Sequence, residues 1–236
     1  MIRLTVLLSL IFLAFCSTAP TADSEIQPPL LPKRELKKDI PNDSWVKTFF
    51  DGYKIEIHEK GNNVREEKRG GLDEFAVENG VSILREDVLP ENNLEVRVWV
   101  GFGLYGNDGF ILRRSSENWS AVFLKKMICH DFKTHGKYDL PPPKSGWDAL
   151  WQKLVEADIL ILPDSSKLKY PDGVIDGKSY VVETNSDFLY RTYHYGNPDF
   201  VKLKEARQMV KIGQIVADEF DLESFSSKTG GCGKDK

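Results

Sequence analysis

The sequence predicts an α+β domain: an antiparallel sheet, built as a meander and hairpins, packed against two amphipathic helices. Three observations carry this. Apolar residues alternate with polar ones in several stretches between positions 53 and 195, the period-two pattern of half-buried strands. Segments 147–155 and 203–220 instead space their apolar residues at helical period. The strand signals come in runs separated by Gly, Asn and Asp turns rather than alternating one by one with helices, which argues against a doubly wound parallel sheet.

The elements follow in chain order. Met1-Ile2-Arg3 and an apolar run over 4–15 read as a signal peptide spanning residues 1–16. The run is too short for a membrane helix, which needs about 17 apolar residues or more. Leu13-Ala14-Phe15-Cys16 resembles a bacterial lipobox, with a large Phe15 where that motif wants a small residue. Two outcomes stay open: lipidation at Cys16, or plain cleavage after it. Residues 17–42 carry Pro20, Pro28, Pro29, Pro32 and Pro41, and read as a flexible tether, because closely spaced prolines withhold backbone donors. A single α+β domain is expected over 43–223, with a sub-boundary near 140–145 at Pro141-Pro142-Pro143. The Ser-, Gly- and Lys-rich segment 224–236 reads as a disordered tail.

Within the domain, Tyr53, Ile55 and Ile57 alternate with Lys54, Glu56 and His58, and Gly61-Asn62-Asn63 turns this strand toward a charged partner over 64–68. Segment 72–89 shows neither period. Val96, Val98 and Val100 share one face of a strand, opposite Glu95, Arg97 and Trp99. Strands over 110–114 and 119–124 follow as a meander. Ser145 is the expected N-cap of a helix whose face holds Trp147, Leu150, Trp151, Leu154 and Val155. Strands 180–184 and 189–195 form a hairpin closed by Gly196-Asn197-Pro198. The last helix carries Leu203, Ala206, Val210, Gly213, Ala217 and Phe220 as a stripe.

Arg97-Val98-Trp99, Phe102-Gly103, Asn118-Trp119-Ser120, the helix over 147–154, the stretch 176–183, and Tyr190-Arg191-Thr192-Tyr193 through Asn197-Pro198 together resemble a family of uncharacterised exported bacterial proteins, a domain of unknown function with no known activity. The resemblance covers about 94–222. It implies a bacterial envelope origin and one compact domain, and it brings no functional residues with it.

Composition narrows function. The 236 residues are 41% hydrophobic and 29% charged, and 32 basic against 36 acidic residues leave a net charge of −4. That gives no electrostatic case for nucleic acid. Three cysteines are too few for a disulfide-built scaffold. Once the leader is gone, Cys129 and Cys232 are the two available for a bridge, which an exported location permits.

Several motifs invite chemistry. Gly101-Phe102-Gly103-Leu104-Tyr105-Gly106 matches a dinucleotide fingerprint, but a strand is expected after it where the fingerprint needs a helix N-terminus. Cys129, His130 and His135 are zinc-ligand types without the second pair of a zinc site. Asp172, Asp176, Glu183 and Asp187 are carboxylates available for acid–base work. Asp172 and Asp176 sit in turns, while Glu183 stands in an apolar strand, where it either faces solvent or pairs with Arg191 across the hairpin. Tyr193 and Tyr195 share a strand face beside Arg191, and Trp99 stands beside Arg97. These four, Trp99, Arg191, Tyr193 and Tyr195, are the candidate binding surface, or else ordinary core. Asn118-Trp119-Ser120 is a glycosylation sequon, incidental in a bacterial protein.

The expectation is therefore an exported, non-catalytic envelope protein, periplasmic or lipid-anchored or secreted. It has no cofactor and no resident metal, touches the membrane only through a lipid anchor, and presents a surface to an envelope protein or glycan. The alternative is an envelope hydrolase using carboxylates near Glu183 or a metal near Cys129 and His130.

Overall fold

The computed structural model describes residues 35–58, 64–103, 106–116, 118–129, 132–171 and 177–225. The leader with Cys16, most of the tether, His130, Asp172, Asp176 and Cys232 lie outside the described residues.

The fold is mixed: one large, mostly antiparallel sheet with four helices. In chain order the elements are β1 (Lys37–Asp39), α1 (Ser44–Asp51), β2 (Tyr53–His58), β3 (Val64–Arg69), α2 (Leu72–Glu78), β4 (Leu94–Gly103), β5 (Gly106–Ser115), β6 (Asn118–Cys129), β7 (Phe132–Asp139), α3 (Trp147–Glu156), β8 (Ser179–Ser186), β9 (Leu189–Gly196) and α4 (Lys204–Phe220). The large sheet has the order β1-β9-β8-β4-β5-β6-β7, and β2 and β3 form a separate two-stranded antiparallel sheet. No described helix is long and apolar enough to cross a membrane.

The meander β4-β5-β6-β7 is local, each strand pairing antiparallel with the next in the chain. β8 then returns from far along the chain to pair antiparallel with β4, placing Val98 opposite Val182 and Arg97 opposite Glu183. Because successive strand side chains point to opposite faces, this register sorts the sheet into two surfaces. One buries Val96, Val98, Val100, Phe110, Leu112, Tyr180 and Val182 with Leu150 and Leu154 of α3 and Met209, Ile212 and Val216 of α4. The other buries Trp99, Ile111, Val122, Leu124 and Val181 with Trp45 and Phe50 of α1 and Leu72, Phe75 and Ala76 of α2.

Five features depart from the sequence expectations. The sheet is not wholly antiparallel: Lys37–Asp39, inside the expected tether, pairs parallel with Leu189–Arg191, and Lys37 N donates to Phe188 O at 2.8 Å. Among the described residues there are four helices rather than two, since α1 and α2 cover the second face. β7 extends the meander by one more strand. Ser145 does not cap α3. Gly146 holds that position at φ 86°, a backbone that glycine adopts without strain, and the Ser145 hydroxyl instead binds Glu219 at 2.8 Å. Finally, ordered structure continues past 223. Phe225 is fully buried between Phe110 and Phe123, so the described body ends two residues into the expected tail. After the glycine motif comes β5, not a helix.

Candidate functional site

Three of the four residues expected as a binding surface are interior, and Arg191 is half-buried. Trp99, Tyr193 and Tyr195 are each 0% exposed. Tyr193 and Tyr195 do share a face, but Trp99 lies on the other one. The β9 donors satisfy the carbonyls of the loop after α3. Tyr193 Oη donates to Ile159 O at 2.8 Å, Tyr195 Oη to Pro163 O at 2.7 Å, and Arg191 to the carbonyls of Leu160 and Leu162. Arg191 Nε also donates to Asp39 at 3.0 Å, which fastens β1 to the sheet edge. Loop carbonyls buried without donors would be costly, so these polar tips have a structural task. Burial raises the hydroxyl pKa of Tyr193 and Tyr195 far above the ordinary value.

Glu183 corrects a second expectation. It neither faces solvent nor pairs with Arg191, because the hairpin register puts Thr192 opposite it and Thr184 opposite Arg191. Its side chain lies on the α2 face and is 2% exposed. One carboxylate oxygen accepts from Trp99 Nε1 at 2.6 Å and the other from Tyr190 Oη at 2.9 Å. Burial, with the Glu183 charge beside it, holds the Tyr190 hydroxyl well above its usual range.

Around this carboxylate the same face carries an unusual density of charge. Arg97, 1% exposed, donates from Nε to Glu95 at 2.7 Å and from Nη1 to Ser82 O at 2.9 Å. Arg113 Nε donates to the second Glu95 oxygen at 2.8 Å. Burial pushes the Glu95 carboxyl up, but Arg97 and Arg113 together outweigh it and hold the pKa below the ordinary value. Above them, Arg85 bridges Asp73 of α2 and Asp51 at the end of α1, and its guanidinium lies 4.9 Å from the Phe50 ring centre. Burial raises Asp73 to about 6, Arg85 pulls it down, and Glu183, Asp51 and Glu86 raise it further. Asn185 closes this side by donating to Leu84 O and Asp87 O. Chemically, this is a sealed polar layer in which the carboxylates of Glu183 and Glu95 accept from fixed donors.

Of the metal candidates the structure describes only backbone positions. Cys129 ends β6 opposite Phe132, and His135 pairs with Lys126 on β7, while His130 lies outside the described residues. Among the described residues, no three His, Cys, Asp or Glu side chains come close enough to hold an ion.

Sequence reasoning missed one aromatic cluster that stays partly open. At the end of the sheet where β5 meets β6, Arg114 and Trp119 are register partners. The Arg114 guanidinium lies 5.4 Å from the Trp119 ring centre, and Trp119 meets Trp151 of α3 at 5.7 Å with the rings tilted 42°. All three are only half-buried. Arg114 makes no ion pair among the described residues, and its Nε has no hydrogen-bond acceptor there. The available signal was parity: Trp119 shares its strand face with Ala121 and Phe123, and Trp151 falls on the sheet-facing side of α3.

Against known proteins, the chain matches no family, no curated protein and no solved structure.

Proposed function

We propose that the protein is an exported, non-catalytic protein of a bacterial cell envelope that binds a glycan through Arg114, Trp119 and Trp151. In this reading the leader directs export, Cys16 is either a lipid anchor or the last residue removed, and the proline-rich stretch spaces the body from a surface. The resemblance to exported bacterial proteins fits the same picture. The observation that carries the proposal is the partly open cluster Arg114–Trp119–Trp151. Indole faces receive the apolar face of a sugar ring, and a guanidinium with no acidic partner among the described residues is suited to hydroxyls or a carboxylate. Rigid, partly buried aromatics next to arginine are also the composition that dominates binding energy elsewhere. The hydrolase alternative has weaker support, since both Glu183 oxygens are already engaged and the group is buried.

The test is titration of the full chain with soluble peptidoglycan oligosaccharides, read by calorimetry and tryptophan fluorescence. Saturable binding is expected, with Trp119→Ala and Trp151→Ala each weakening it roughly 3- to 10-fold, the worth of one aromatic contact. Absence of binding, or binding indifferent to both substitutions in folded variants, would overturn the proposal.

A further inference from the structure

Strand β9 carries the N-terminal segment twice over. Along its edge runs β1, held by the Lys37–Phe188 backbone bond and the Asp39–Arg191 ion pair. Across its second face lies α1, seated on His194. The imidazole is 5.2 Å from the Trp45 ring and 4.9 Å from the Phe49 ring, so two successive turns of α1 clasp it. Trp45 Nε1 and His194 Nε2 are both buried with no hydrogen-bond partner among the described residues.

That seat suits a neutral ring and not a charged one. A protonated imidazole must donate from both nitrogens, and Nε2 faces no acceptor. The titratable groups facing the ring are Asp164 from the loop after α3 and Asp43 just before α1. Neither is free to turn. Asp164, 1% exposed, accepts from the backbone N–H groups of His194 and Ser166 and from the Ser166 hydroxyl. Asp43 caps α1 through Trp45 N at 3.2 Å. The aromatic faces attract a cation, but not by as much as burial costs it.

We propose that residues 37–51 form an acid-released strap: proton uptake by His194 lifts α1 from β9 and uncovers the apolar underside carried by Trp45, Phe49 and Phe50. His194 is half-buried, but its Nε2 is sealed beneath α1, so the imidazolium is fully hydrated only when α1 moves and protonation favours the open form. The burial that disfavours the charged ring lowers its pKa to about 4, with Asp164 and Asp43 opposing weakly. A ring exposed in the open form would titrate at its ordinary 6.5. Linkage between these two values makes the open population rise about 20-fold from pH 7 to pH 5, and about 100-fold by pH 4.

Amide hydrogen exchange of the full chain reads this directly, through a peptide covering α1 followed at pH 7, 5 and 4 and corrected for the intrinsic rate. The expected result is a loss of protection in α1 of the sizes just given, and no such loss in His194→Gln. Unchanged protection in the wild type, or the same loss in the glutamine variant, would overturn the proposal. Should that variant fail to fold, an NMR titration of the wild type decides. His194 is expected to titrate below pH 5, with the Trp45 indole signal moving at the same midpoint. A midpoint near 6.5 with a silent Trp45 would refute the strap.

Discussion

Removing the Glu95 carboxylate should be among the most damaging single changes in this protein, and removing its partner as well should repair most of the damage. In Glu95→Ala, Arg97 loses its Nε acceptor and keeps only the carbonyl of Ser82, while Nη2 already has no partner. Arg97 is 1% exposed, so its charge cannot reach water without opening the α2 face. Arg113 is different: its side chain is 33% exposed and can turn to solvent. The loss is therefore mainly one stranded buried charge, about 3–5 kcal/mol. That is a large share of the roughly 5–15 kcal/mol that holds a typical domain. In the double variant Glu95→Leu, Arg97→Met no charge is stranded, and the cost should fall below about 1 kcal/mol, since apolar replacement of a buried ion pair is often neutral or stabilising. Urea unfolding at pH 7 measures both. The wild type should also lose stability in acid. The Glu95 pKa is lower in the folded than in the unfolded chain, so its contribution is present above the ordinary 4.5 and vanishes as pH falls through the folded value. A single variant costing under 1 kcal/mol, or a double variant as damaged as the single, would show that the Glu95–Arg97 pair is not what holds this face.

Glu183→Gln keeps one acceptor for Trp99 Nε1 and turns an N–H toward Tyr190 Oη, which then accepts and loses its carboxylate acceptor; a loss of about 1–3 kcal/mol by urea unfolding is expected, with glycan titration unchanged. Asp73 has the opposite pH sign to Glu95. Its folded pKa, about 6, lies above the ordinary 3.8, so its contribution is full below 3.8 and is lost as pH rises through 6; Asp73→Asn should flatten the melting temperature over that window. Phe225→Ala should cost about 3–5 kcal/mol, although the residue sits beside a tail rich in Ser, Gly and Lys, whereas a truly disordered position would cost nothing in the same unfolding assay. Gly109→Ala places a Cβ inside the Trp99 ring and should displace the indole from Glu183, seen as a red-shifted tryptophan emission and a loss of about 1–3 kcal/mol.

The face under α3 and α4 was legible because its residues obey one rule. Val96, Val98 and Val100 alternate with Glu95, Arg97 and Trp99, and the α4 stripe repeats at helical spacing, so the shared face follows from period alone. The opposite face breaks that rule. Period alone puts Glu95 and Arg97 opposite the valines without saying what covers them, and leaves Glu183 facing solvent or pairing with Arg191, yet all three are buried. The covering elements were themselves hard to see. α1 has eight residues and α2 seven, with Gly71 rather than a capping side chain before α2, and neither shows a helical period long enough to stand out. β1 is three residues, Lys-Lys-Asp, and becomes a strand only because β9 offers an edge about 150 positions later. A contact that remote leaves no local trace. Trp151 was visible on the apolar face of its helix and Trp119 only as a strand residue; that they meet and stay partly open depends on where α3 crosses the sheet.

One pair of residues explains why the second face tolerates so much charge. Trp99 stands opposite Gly109, the strand position whose missing side chain leaves room for the indole to lie flat across β5. Lying there, the ring supplies apolar cover against Phe75 of α2, with centroids 5.9 Å apart, and still delivers its N–H to Glu183. The indole therefore separates two regions of the same surface. On the β5–β6 side it packs with Ile111, Val122 and Leu124, as an ordinary core. On the β8–β9 side it opens a row of fixed hydrogen bonds running from Glu183 to Tyr190. Polar groups buried in such a row hold one register, since sliding β8 past β4 by two residues would keep every side chain on its face but leave Glu183 without Trp99. The apolar side would tolerate that slip. The charged side would not, so the burden of fixing how β8 returns to the meander falls on the residues that at first reading look most like an active site.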